Sequence, residues 1–167
     1  MSIVVEDGTG LATAESYISV ADASTYFTAR GNTTWDAIAT DALREAYLRQ
    51  ATEYMISTYR RRWQGVRLDE DQALDWPRDG VVVDSWEVDN DSVPTIIERA
   101  CAELALKASS AELQPDLTQG VLSEQVGVIK VEYDRNSPQA TRFKAIEAML
   151  APFLKSGGGA SMGLIRS

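Results

Sequence analysis

The run Arg60-Arg61-Arg62-Trp63, with Arg67 just beyond, is the one cluster in the sequence that joins basic side chains to an aromatic ring. Guanidinium groups grip phosphates and an indole ring stacks on bases, which is the chemistry of a single-strand binder. The plainer reading is a helix C-terminus, where the backbone dipole favours cations, with ion pairs to Asp69-Glu70-Asp71. Those acids would compete with phosphate, so the plainer reading, extended to contacts between subunits, is preferred. Arg60, Arg61, Arg62 and Trp63 stand as the candidate nucleic-acid contact to test.

Asp84, Glu87, Asp89 and Asp91 could be mistaken for metal ligands. They lack the alternating positions, mid-loop glycine and closing glutamate of a calcium loop, so a solvated acidic loop is expected. Gly8-Thr9-Gly10 offers a short match to a phosphate loop, but no Gly-Lys-Ser/Thr follows, and it reads as a turn. Cys101 is the sole cysteine, which excludes an internal disulfide; on an apolar helix face it reads as a buried, inert thiol. The sequence contains no histidine. That removes Ser–His and Cys–His nucleophiles, the usual zinc ligand sets and the commonest general base. No catalytic residue, cofactor or metal is assigned, and a non-enzymatic role is expected. A carboxylate enzyme using magnesium is a distant third.

The balance of 16 basic to 25 acidic residues, a net charge of −9, argues against broad, phosphate-driven nucleic-acid binding. At 167 residues the chain suits one domain with an appendage. No apolar run approaches the roughly 20 residues of a membrane span. The N-terminus lacks a basic region and an apolar signal core, so a cytosolic product without a membrane partner is expected.

These residues must be positioned by helices. Val93 to Ala108 predicts a central one: Pro94 suits its first turn, Asp91 or Ser92 can cap it, and Ile97, Cys101, Leu104 and Ala108 recur on one face. Ser19 with Asp22 makes a capping box for a helix over Val20 to Ala29, ending at Gly31, with Trp35 and Ile38 packed beneath. A longer helix runs from about Asp41 to Arg60, with Leu43, Tyr47, Leu48, Ala51, Tyr54 and Met55 as its apolar stripe. On its opposite face Glu45, Arg49 and Glu53 are spaced to pair. Between these helices, Trp76, Pro77 and Arg78 read as core scaffold, Arg78-Asp79-Gly80 as a turn, Val81-Val82-Val83 as extended chain and Trp86 as a large anchor. Farther on, Ile129, Val131 and Tyr133 alternate with polar residues as a half-buried strand. It pairs either with Leu122 to Val126 as a local hairpin or with a neighbouring subunit; an assembly role is favoured, because an isolated strand pair is marginal. Ser137-Pro138 opens a last helix with Phe143, Ile146, Leu150 and Phe153 on one face. Residues 156–167 read as a flexible glycine-rich tail with an apolar tip. The predicted fold is mainly α: a small bundle of about four helices over 1–155, with a protruding hairpin or strand at about 121–133 and a flexible tail.

Taken together, V-V-E-D-G-T-G-L-A, S-Y-I-S-V-A-D-A-S-T-Y-F, R-Q-A-T-E-Y-M, Q-A-L-D-W-P-R-D-G-V, V-P-T-I-I-E-R-A-C-A-E-L-A and V-G-V-I-K-V-E-Y follow one another in an order that resembles a family. It is the tailed-phage proteins labelled DnaT-like single-stranded-DNA-binding proteins, which group with head–tail connector (adaptor) proteins. The resemblance covers Val4 to about Leu154, and D-W-P-R is its most distinctive piece. It implies a helical bundle assembled as a ring, a dodecamer, beneath the phage portal protein. Such a ring extends the DNA channel towards a tail-side connector or tail terminator protein, in the virion.

On that resemblance the connector is the preferred reading. Net negative charge suits a conduit along which DNA slides. Edge pairing of the strand would join subunits, making Val128, Ile129, Val131 and Tyr133 the expected subunit interface, and Leu164, Ile165 and Arg166 the expected docking tip for portal or tail. The alternative is a DnaT-like single-stranded-DNA-binding protein, using Arg60, Arg61, Arg62 and Trp63.

Overall fold

The structure, a computed structural model, describes residues 2–115, 123–126, 129–132 and 143–155. Its helices are α1 (Val20–Thr28), α2 (Asp41–Tyr59), α3 (Thr95–Ala108) and α4 (Lys144–Leu150), the last running into a 3-10 turn at Ala151–Phe153. The strands are short: β1 (Val66–Arg67) pairs with β2 (Arg78–Asp79), β3 (Val82–Val83) with β4 (Trp86–Glu87), and β5 (Ser123–Val126) with β6 (Ile129–Glu132), all antiparallel. The result is a small mixed α/β fold rather than a clearly pure helical bundle. The reason lies in residues 64–93, which carry no helical period and are broken into extended pieces by glycines at positive φ, Gly65 and Gly80.

α1 forms as its capping box dictates. Ser19 Oγ accepts from the Asp22 N–H at 3.0 Å and donates to the Asp22 carboxylate at 2.6 Å. Ser19→Ala removes this cap and is expected to cost about 1 kcal/mol, read as a lower urea midpoint. Trp35 is fully buried beneath α1, 5.3 Å from the Phe27 ring, and its indole N–H donates to Ser24 Oγ. α2 begins at the Thr40 cap, with the expected stripe except Leu43, which is exposed. Arg49 takes its main partner from outside its own helix: it forks onto the Glu15 carboxylate at 2.9 and 3.0 Å, and Glu45 lies farther off at 3.7 Å. Interaction with a fixed external carboxylate in two-point geometry outweighs a single i, i+4 pair.

α3 is central. Ile97, Ala100, Cys101, Ala102, Leu104 and Ala105 are all buried, and the helix packs on α2, α4 and α1. Its small residues let three helices approach one backbone closely. Pro94 stands at the cap position itself, and no side chain caps the helix, contrary to the expectation for Asp91 or Ser92. The Cys101 thiol is enclosed beside Thr52 Oγ1 at 3.5 Å and Ser16 Oγ at 3.9 Å, and burial pushes its pKa up. A neutral, inaccessible thiol follows.

The N-terminal turn explains why Gly8-Thr9-Gly10 is no phosphate loop. The buried Glu6 carboxylate already accepts from the N–H groups of Gly8, Gly10 and Leu11, at 3.0, 2.8 and 2.9 Å. An internal anion fills the cradle. Gly8 also touches the chain before α3 so closely that a Cβ there would stand 2.2 Å from the Asp91 carbonyl oxygen.

The strand expected near 121–133 takes the local-hairpin alternative: β6 pairs with β5 of the same chain, Val126 opposite Ile129 and Ser123 opposite Glu132. Val128 and Tyr133 lie outside the described residues, as do Ser137-Pro138 and the tail with Leu164, Ile165 and Arg166. Ile146, Leu150 and Phe153 are buried on one face, as the spacing predicts, and Phe143 is half-buried at the start of α4.

Candidate nucleic-acid interface

α2 ends at Tyr59, and the arginine triplet turns outward just after it. Arg60 is 48% exposed along its side chain, yet its Nε is tied to the Asp75 carboxylate at 3.0 Å. Arg62 reaches Glu147 of α4 at 3.5 Å and lies over the Tyr59 ring, 5.2 Å from its centre. Burial pushes the Tyr59 hydroxyl up to about 12, so at neutral pH that ring offers a face and no charge. Arg61 is exposed and makes no ion pair among the described residues. The expected pairing with Asp69-Glu70-Asp71 does not form. Arg67 instead donates to the backbone carbonyls of Glu70 and Gln72.

Trp63 is closed to the stacking role that the single-strand alternative gives it. It is 0% exposed, in an aromatic row with Tyr59 and Trp76, and its indole N–H donates to Asp75 at 3.2 Å. A ring with no exposed face cannot stack on a base. The spacing pointed to it because a Trp beside three arginines looks the same in sequence whether the chain turns it in or out.

Beneath the triplet lies the D-W-P-R segment, which acts as the scaffold expected. Asp75, fully buried, accepts from Arg60 and Trp63, and its N–H donates to the Tyr17 hydroxyl at 3.0 Å. Burial raises the Asp75 carboxyl above its usual range, opposed by Arg60, Trp63 and Arg78. Arg78 donates to three backbone carbonyls, those of Gln64, Gly65 and Asp75, at 2.7, 2.8 and 3.1 Å. Far from a turn, Arg78-Asp79 is strand β2, because this fork holds it against residues 64–65.

The fold adds a cation that no local signal marks. The Lys155 N–H donates to the Arg62 carbonyl at 2.7 Å, and Trp63 bridges to Leu154, so the end of the described chain lies against the triplet. Gln64 stitches the junction, its side-chain amide donating to the Pro152 carbonyl at 2.7 Å. Arg61, Arg62 and Lys155, all exposed, thereby share one surface. Asp84 and its acidic neighbours form no group of three acids, histidines or cysteines able to hold a metal among the described residues. Trp86, expected as an anchor, is 79% exposed instead. Its strand is one arm of a hairpin turned by Asp84 and Ser85, both at positive φ, and the ring projects from the fold. No described helix is long and apolar enough to cross a membrane.

Nothing among curated proteins or solved structures matches the chain. One family does, described as "Putative DnaT-like ssDNA binding protein", over residues 1–167. That match corrects the connector reading. It names single-strand binding, and nothing in it indicates a head–tail connector, a dodecameric ring, a portal protein or a tail-side connector or tail terminator protein as partners. The shared sequence pieces carry one half of the resemblance and not the other. From end to end, this chain belongs to the DnaT-like single-stranded-DNA-binding protein family.

Proposed function

We propose that the chain binds single-stranded DNA without sequence preference, with Arg61, Arg62 and Lys155 contacting phosphates and no catalytic step. The observation that carries this reading is the meeting of the arginine triplet with Lys155 in a chain of this family. Arg60 plays a smaller part, since Asp75 already holds one edge of its guanidinium. A chain of net charge −9 repels a polyanion overall, so affinity rests on this local patch. Binding is therefore modest and dependent on salt. The absence of histidine supports binding over catalysis.

The test is fluorescence anisotropy of a labelled oligothymidine at low salt, with a duplex of equal length as competitor. Saturable binding that the duplex displaces poorly is expected. Replacing Arg61 and Arg62 together by alanine should weaken it about tenfold, as loss of two phosphate contacts implies. No binding even at the lowest salt would overturn the proposal.

A further inference from the structure

Among the four tryptophans, Trp35, Trp63 and Trp76 are 0% exposed, whereas Trp86 is 79% exposed. The fold makes no core use of that ring. It does hold it firmly: Trp86 pairs with Val83 across a two-residue turn, and Val83 is packed against the core. The hairpin is also tied to the cationic surface. The Val82 N–H donates to Gln64 Oε1 at 3.4 Å; Gln64, two residues after Arg62, also donates through its amide to the carbonyl of Pro152, three residues before Lys155. Chain geometry then places Trp86 within about 20 Å of Arg62 and Lys155, a few nucleotides of extended strand.

The geometry points to Trp86 as the base-stacking platform of this single-strand site, the role that the buried Trp63 cannot fill; it rests on the strand-binding function proposed above. Every base has a π-face, so one exposed indole serves any sequence. Charge fixes which part of the strand meets which part of the surface. Arg61, Arg62 and Lys155 attract phosphates, while Asp84 and Glu87 flank the ring and repel them. A base turned onto Trp86 with its phosphate facing solvent satisfies both. A stacking ring without a neighbouring cation adds affinity without adding a phosphate contact.

The experiment is intrinsic tryptophan fluorescence during titration with oligothymidine, run beside anisotropy on the full chain. Stacking quenches the indole, and Trp86 is the exposed reporter. Trp86→Ala is expected to abolish the quench and weaken binding about five- to 150-fold, while the salt slope stays unchanged. Trp86→Phe should retain most of the affinity and Trp86→Leu should not, which separates stacking from apolar contact and does not depend on the alanine variant alone. Glu87→Gln should tighten binding. Should Trp86→Ala bind as tightly as the parent, the stacking role is wrong while phosphate binding stands. Should the parent chain bind no oligonucleotide, both fall together.

Discussion

Arg78→Met is expected to destabilise the chain by about 3–5 kcal/mol, the loss that follows when a buried charged fork is cut from its partners. The substitution keeps the volume of the aliphatic stem and deletes five donors. Three carbonyls, of Gln64, Gly65 and Asp75, then lose the guanidinium that satisfies them. Asp75 loses a cation that offsets its burial. For a chain of this length such a loss lowers the melting midpoint by about 10 °C, which differential scanning calorimetry reads directly. Arg78→Lys should recover only part of it, because one ammonium cannot follow three carbonyls held in a fork. An unchanged midpoint for Arg78→Met would show that the D-W-P-R segment does not hold residues 64–65 in place.

Trp76→Ala is expected to cost a similar amount, about 3–5 kcal/mol, through a different cause. The ring is fully buried and meets Trp63 and Phe153 edge to face, at centroid separations of 5.7 and 5.6 Å. Its removal opens a cavity between the end of α2 and the segment after α4, and Phe153 loses the surface it docks on. Trp76→Phe should cost much less, since the indole N–H has no partner among the described residues and its loss leaves nothing unpaired. Guanidine titrations of the pair check both, and equal losses for Phe and Ala would contradict the packing argument.

Much of this fold is legible in the sequence where a local rule decides. Ser19 with Asp22 marks the start of α1, and the α2 stripe and the Ile146–Leu150–Phe153 face follow helical spacing. Rules fail where the decision is tertiary. Leu43 fits the stripe yet is exposed. Trp86 reads as an anchor yet is exposed, and Trp63, a stacking ring only in the single-strand alternative, is buried. An arginine run drew Trp63 into the site, although Asp75, twelve residues on, draws its N–H inward. The Asp84-Ser85 turn that presents Trp86 lacks the Asn-Gly or Asp-Gly signature that would have marked a hairpin. Lys155 carries no signal at all; only the bridge from Trp63 to Leu154 brings it to the triplet. The resemblance placed the chain near the right family and then borrowed a structural role that the family match does not carry.

The salt dependence of oligothymidine binding tests the strand-binding claim most directly. With phosphates held by Arg61, Arg62 and Lys155, the logarithm of affinity should fall against the logarithm of salt with a slope of about −2. Charge removal at all three positions should flatten it towards zero. A slope that survives that triple replacement would place the phosphate contacts elsewhere on the chain and contradict the assignment.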